Sequence, residues 1–175
     1  MLSRKIQSVI RDIPDFPKKG IVFKDITPIL ADSELCTEMV DNFVEQLNDL
    51  KVDAVVGVES RGFLFGMMLA NALKVPFVPV RKKGKLPYEV VSHYYNLEYG
   101  SSEVEMHVDA IQKNWHVLVH DDLLATGGTA SASAELIKKL GGVVCCFAFV
   151  IELSMLKGKQ KLNEHTDNIL SLVKY

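Results

Sequence analysis

The segment Val117-Leu118-Val119-His120-Asp121-Asp122-Leu123-Leu124-Ala125-Thr126-Gly127-Gly128-Thr129 is the part of this sequence best equipped for chemistry. Its apolar start reads as a buried strand that delivers two adjacent carboxylates, Asp121 and Asp122, to the edge of a sheet. Small and hydroxyl-bearing residues from Ala125 to Thr129 then lead into a helix. Unpaired N–H groups at a helix start, with the hydroxyls of Thr126 and Thr129, make a cradle for phosphate. Gly127 and Gly128 permit positive φ and a close approach of backbone to ligand. The two acids are acceptors suited to vicinal ribose hydroxyls or to a hydrated Mg²⁺. An arbitrary Asp-Asp pair is usually a solvated turn. Strand, paired acids and Thr-Gly-Gly-Thr in one register are far more specific. Neither G-x-x-x-x-G-K-[ST] nor a G-x-G-x-x-G following a strand occurs, so the cradle is not of those kinds.

The surrounding pattern supplies elements to hold it. Leu2 to Arg11 has helical spacing and is ended by the Pro14 to Pro17 stretch. Ser33 is a candidate N-cap for a helix running to about Leu50, with apolar residues at Leu35, Met39, Phe43, Val44 and Leu47. Val52 to Val58 is β-branched enough for a buried strand. Glu59-Ser60-Arg61-Gly62 turns it into a helix carrying Phe63, Leu64, Met67, Leu69 and Leu73. Phe77 to Val80 reads as a strand that ends in the basic run Arg81, Lys82, Lys83, Lys85, followed by a less regular stretch from Leu86 to Gly100. Trp115 to Val119 is a strand, Ala130 to Leu140 a helix, Val143 to Leu153 a long strand and Ile169 to Val173 a short one. Strands alternating with helices predict an α/β fold with a central, mostly parallel sheet flanked by helices. In such sheets ligands sit beyond the carboxyl ends of the strands, where the glycine-containing loops fall here.

Length and composition agree with one domain spanning residues 1–175. The 175 residues suffice for a substantial core, and 48% hydrophobic with 24% charged residues is ordinary for a soluble globular protein. A formal net charge of -2 gives no global drive toward nucleic acid or anionic membrane. Met1 to Asp12 lacks the apolar core of a secretory leader, and the longest apolar run, Val143 to Ile151, is too short to span a bilayer. Three cysteines, two of them neighbours, make no disulfide framework and a poor metal set. A reducing, cytoplasmic setting is expected.

The Asp121 to Thr129 segment resembles the 5-phosphoribosyl-1-pyrophosphate signature of the type I phosphoribosyltransferases. Its Leu-Leu-Ala-Thr-Gly-Gly-Thr form, with Ala125 where hypoxanthine-using relatives carry Asp, is similar to the adenine-specific branch. Pro14-Asp15-Phe16-Pro17, Gly20-Ile21-Val22-Phe23-Lys24-Asp25-Ile26-Thr27, Ser60-Arg61-Gly62-Phe63, Arg81-Lys82-Lys83-Gly84-Lys85-Leu86-Pro87 and Leu97-Glu98-Tyr99-Gly100 match that branch in the same order. The resemblance thus covers nearly the whole sequence.

It implies a type I phosphoribosyltransferase fold with a small N-terminal base-binding hood, and the joining of adenine to 5-phosphoribosyl-1-pyrophosphate to give AMP and pyrophosphate. Asp121, Asp122, Ala125, Thr126, Gly127, Gly128, Thr129 and Tyr99 are then expected to bind the phosphoribosyl pyrophosphate. A polyanionic leaving group needs cations and N–H donors, a task for Arg61, Lys82 and Lys85. The peptide between residues matching Glu59 and Ser60 is often cis in the family. Arg81 is expected to reach a neighbouring subunit's site, implying a homodimer. Glu98 is the family's candidate acid–base group at purine N7. Val22, Phe23 and Lys24 are expected to hold adenine, with a backbone carbonyl at Val22, a backbone N–H at Lys24 and stacking by Phe23. Mg²⁺ is expected to be held mainly through substrate and water, with no direct protein ligand.

Two departures stand out. His120 replaces a usually apolar or small residue and reads as a histidine satisfied by the core. Val108 replaces a usually basic one, and nothing in the sequence explains it. A ligand-sensing regulator on the same fold would show a DNA-binding domain or a broad basic face. A transferase for hypoxanthine or xanthine is disfavoured by Ala125 and by Leu97 to Gly100.

Overall fold

The computed structural model describes residues 1–97 and 100–175. Helix α1 (Leu2–Val9) buries Ile6 and stops short of the expected end, because Arg11 already belongs to a strand. That strand, β1 (Arg11–Pro14), pairs antiparallel with β2 (Val22–Asp25) in a small separate sheet. Four-residue strands bracketed by prolines and glycine carry too little periodicity to be seen in the sequence.

After the single turn α2 (Thr27–Leu30) comes α3 (Ser33–Gln46). Its N-cap is Asp32, not Ser33: the Asp32 carboxylate accepts the Leu35 N–H at 2.9 Å from an extended backbone, and Ser33 is already helical. The helix also ends at Gln46 rather than near Leu50, though the Leu47 side chain stays buried.

Strand β3 (Ala54–Val58) is buried along its full length, as its β-branched content predicts. Then follow α4 (Gly62–Leu73), β4 (Phe77–Lys82), β5 (Val90–Leu97), β6 (Gly100–His107), β7 (His116–Leu124), α5 (Gly128–Lys139), β8 (Val143–Glu152), a 3₁₀ turn at Ser154–Leu156, α6 (Gly158–Leu162) and β9 (Ile169–Lys174). Among the described residues, seven strands form one sheet in the order β5-β6-β4-β3-β7-β8-β9. The β4-β3-β7-β8-β9 block is parallel throughout, and β5 and β6 add an antiparallel hairpin at one edge. The stretch read as irregular, Leu86 to Gly100, thus contains β5. Edge strands mix polar and apolar residues on both faces, which blurs their alternation.

Helices cover both faces. On one, α1, α3 and α4 bury Ile6, Met39, Phe43, Phe65 and Leu69 against the sheet. On the other, α5 packs Leu136 and Ile137 against Val119, Phe147 and Phe149. His120 is fully buried with its ring edge-on to Phe43. Neither ring nitrogen makes a well-aligned hydrogen bond among the described residues, and the Ala148 backbone is the polar group that the ring meets. Desolvation pushes its pKa down to about 3, so the ring is neutral.

From β3 the backbone moves to β4 on one side and later to β7 on the other. That reversal leaves a crevice at the carboxyl ends of β3 and β7, where open α/β sheets bind ligands.

Candidate active site

Strand β7 runs further than its apolar pattern suggests and carries both acids inside the ladder, with Asp121 opposite Phe149 and Leu123 opposite Ile151 of β8. Strict alternation would separate the two carboxylates, but here Asp121 Oδ1 accepts the Asp122 N–H at 2.9 Å and the two acids stay in electrostatic contact. Asp121 lines the space shared by Ala125 to Thr129 and the cleft shared with Glu59, Arg81, Lys82 and Tyr95. Asp122 is buried, its Oδ2 lying 3.1 Å from Arg61 Nε. That pair is not aligned as a hydrogen bond, and Asp122 Oδ2 has no such partner among the described residues. Burial pushes the Asp121 carboxyl well above the ordinary carboxylate range, and the charge of Asp122 adds to it. Burial raises Asp122 too, against the opposing pull of Arg61.

The cradle follows at once. Gly127 has φ +77°, the left-handed region that favours glycine, and precedes the first turn of α5. Gly128 is helical, so only one of the two glycines meets the expected need for positive φ. The helix also starts earlier than Ala130. Tyr95 on β5 reaches across to place its hydroxyl 3.0 Å from Thr129 Oγ1. This tyrosine was invisible as a site residue, because a lone aromatic in a strand looks like packing.

On the β3 side the Glu59–Ser60 peptide is cis, and Arg61 opens α4. Glu59 Oε2 accepts from Arg81 Nε and from the Lys82 N–H, each at 3.1 Å. Burial would raise the Glu59 pKa, but these two donors outweigh it and leave the carboxyl below its ordinary value. The Arg81 guanidinium also donates to the Lys85 C=O at 3.2 Å. Lys83 pairs with Glu103, while Lys82 and Lys85 remain exposed at the rim.

The small β1–β2 sheet stands over this crevice. The Arg61 guanidinium lies 4.8 Å from the centroid of the Phe23 ring, and Phe16 packs edge-on to that ring. The register pairs Pro14 with Val22 and Asp12 with Lys24. Pro14 has no N–H, so its pair must be a non-hydrogen-bonded one. By alternation Val22 and Lys24 then turn their C=O and N–H away from β1, toward whatever lies beyond β2.

A buried strand with two acids, a phosphate-sized loop at a helix start, a converging arginine and a hood over them make a defined constellation. The model of the phosphoribosyl transferase domain matches residues 24–172. The adenine phosphoribosyltransferase of Cytophaga hutchinsonii is 51% identical over 175 residues, which are 100% of this sequence and 97% of its own. The chain belongs to the adenine phosphoribosyltransferase family. Among solved structures, the adenine phosphoribosyltransferase of Thermoanaerobacter pseudethanolicus is 48% identical and superposes with a TM-score of 0.95, over 100% of both proteins. That of Trypanosoma brucei, in complex with AMP, pyrophosphate and ribose-5-phosphate, is 28% identical with a TM-score of 0.88, over 99% of this protein and 79% of its own length.

Within this phosphoribosyltransferase the crevice gathers Arg61, Asp121, Asp122 and the Ala125 to Thr129 loop, with Arg81 and Lys82 at one wall and Val22, Phe23 and Lys24 in the hood. Lys85 joins the wall through its backbone. Glu98 and Tyr99 lie outside the described residues. Glu59, Tyr95 and Gly158, which packs against the backbone of Ala125 and Gly127, belong to the site's framework and carry no signal as such in the sequence. Each acts through a partner more than 20 residues away.

Proposed function

We propose that this protein transfers the phosphoribosyl group of 5-phosphoribosyl-1-pyrophosphate to adenine, forming AMP and releasing pyrophosphate. All 175 residues act as one phosphoribosyltransferase domain. The single observation that carries the reading is the outward-facing backbone of β2 opposite the acid-and-cradle crevice, in a member of this family. Purine N9 attacks ribose C1 as the C1–oxygen bond to pyrophosphate breaks, through an oxocarbenium-like transition state, and the N9 proton is lost.

The N–H groups and hydroxyls from Ala125 to Thr129 hold the 5-phosphate. Asp121 and Asp122 face the ribose hydroxyls. Arg61, Lys82 and Lys85, with Tyr99, hold the pyrophosphate, and Arg81 reaches it from the neighbouring subunit. Glu98 fixes and polarises the ring at N7. The Val22 C=O accepts from the exocyclic amino group, the Lys24 N–H donates to N1, and Phe23 stacks on the purine.

Mg²⁺ fits this site. Asp121 and Asp122 offer carboxylate oxygens to water on the ion, with Asp122 Oδ2 buried at 3.1 Å from Arg61 Nε. The ion is held mainly through substrate and water, with no direct protein ligand. When bound, the ion neutralises charge on the departing pyrophosphate. We place the enzyme in the cytosol, a reducing setting in which its three free thiols persist. It works as a homodimer. Leu64 and Met67, both exposed on α4, are the apolar surface that supports this.

The test is kcat/KM for adenine, hypoxanthine and guanine with wild type and Lys24→Ala. Hypoxanthine reverses the donor and acceptor at positions 6 and 1, and sites built on such contacts reject mismatched analogues by up to roughly 10⁴–10⁵. Comparable use of hypoxanthine by wild type defeats the adenine assignment. Lost selectivity in Lys24→Ala defeats reading by the backbone.

A further inference from the structure

We propose that Tyr175 is a positioning residue that, acting through Lys24, sets the base-reading strand at a fixed distance from the phosphate cradle. The proposal rests on the adenine-reading role given to β2 above.

No hydrogen-bond ladder among the described residues joins the β1–β2 sheet to the seven-stranded sheet. Its placement over the crevice therefore depends on side chains. The Lys24 side chain is only 12% exposed although it carries a charge. Its ammonium is bracketed by two partners from different parts of the fold. Asp12 Oδ1, on the neighbouring hood strand, lies 2.7 Å away. The Tyr175 ring, from the end of the main sheet, presents its face with the centroid 3.9 Å from Nζ. A cation over an aromatic face is attracted by the ring's negative quadrupole, and more strongly when water is excluded.

Tyr175 is itself anchored to the catalytic frame. Its N–H donates to the Glu152 C=O and its C=O accepts from the Ser154 N–H, both at 2.9 Å. The intervening Leu153 N–H donates at 2.9 Å to the C=O of Leu124, the residue directly before the cradle. The ring that holds Lys24 is thus tied through backbone hydrogen bonds to the loop that holds the phosphate. Transfer requires N9 to sit against C1, and a misplacement of about 1 Å can cost roughly 10² in rate. The face of the ring does the holding, so phenylalanine should serve as well as tyrosine.

The experiment compares KM for adenine at saturating 5-phosphoribosyl-1-pyrophosphate with KM for that substrate at saturating adenine, in wild type, Tyr175→Leu, Tyr175→Phe and Asp12→Asn, alongside thermal melting. Tyr175→Leu should raise the adenine KM by about tenfold, the range of a partly desolvated cation–π contact. It should leave the other KM within about twofold. Tyr175→Phe should restore the adenine KM, and Asp12→Asn, at an exposed carboxylate, should shift it in the same direction as Tyr175→Leu. An unchanged adenine KM in both Tyr175→Leu and Asp12→Asn overturns the proposal. So do two KM values rising together, or a failure of Tyr175→Phe to rescue. A wild type that prefers adenine but is indifferent to Tyr175→Leu sinks the clamp alone, whereas a wild type without base preference sinks the reading it rests on.

Discussion

Gly158 opens α6 and lies against the back of the phosphate cradle. A methyl group at that position would overlap the Ala125 carbonyl oxygen, and would stand 2.9 Å from Leu124 Cδ1 and 3.0 Å from the Gly127 nitrogen. Two of these three neighbours are backbone, so a rotamer change cannot relieve the crowding. Gly127 cannot retreat toward Gly158 either, since the space beside it is filled by the Gly158 carbonyl at 2.8 Å from where a Cβ would stand. Regaining ordinary van der Waals separation in Gly158→Ala means moving the cradle by about 1 Å. Because the cradle N–H groups act by position, the expected loss is roughly 10² in kcat/KM for 5-phosphoribosyl-1-pyrophosphate, about 2.7 kcal/mol. Overpacking should also lower folding stability by about 1–3 kcal/mol. The preference for adenine over hypoxanthine should survive, because β2 is untouched. Calorimetric AMP binding, steady-state kinetics and thermal melting on one preparation separate these effects. A folded Gly158→Ala protein that binds AMP within threefold of wild type would refute the argument that this contact sets the cradle.

Glu98→Ala should lower kcat by roughly 10²–10⁴ with little change in melting temperature, and a kcat within about threefold of wild type would remove Glu98 from the chemistry unless product release limits the rate. His120 is neutral in the fold with its pKa pushed from 6.5 to about 3, so between those values the unfolded state binds more protons and stability falls as pH falls. From pH 7.5 to 5 that linkage removes about 2 kcal/mol, which His120→Leu should recover; equal pH slopes for the two proteins in urea unfolding would count against it.

Much of this architecture is written in local patterns. The β-branched run at Val52 to Val58 and the alternation of strands with helices are enough for a mostly parallel sheet, and the sheet's geometry alone puts the cradle at a strand's carboxyl end. The order of Asp121, Asp122 and Thr-Gly-Gly-Thr likewise carries its chemistry without tertiary help, because acceptors, N–H donors and a helix start are properties of neighbouring residues. The β5–β6 hairpin and the two hood strands were not legible, being edge or four-residue strands with blurred alternation. The same holds for the extension of β7 through its acids, which pairing with β8 imposes on residues that a local reading leaves in a loop. Furthest from view were the contacts that give the site its dimensions: Glu59 on Arg81, Tyr95 on Thr129, Gly158 on Ala125, Tyr175 on Lys24. A periodicity is repeated every few residues and so survives in one dimension. A distance between two groups on separate strands exists only once the core has packed and brought the strand ends together.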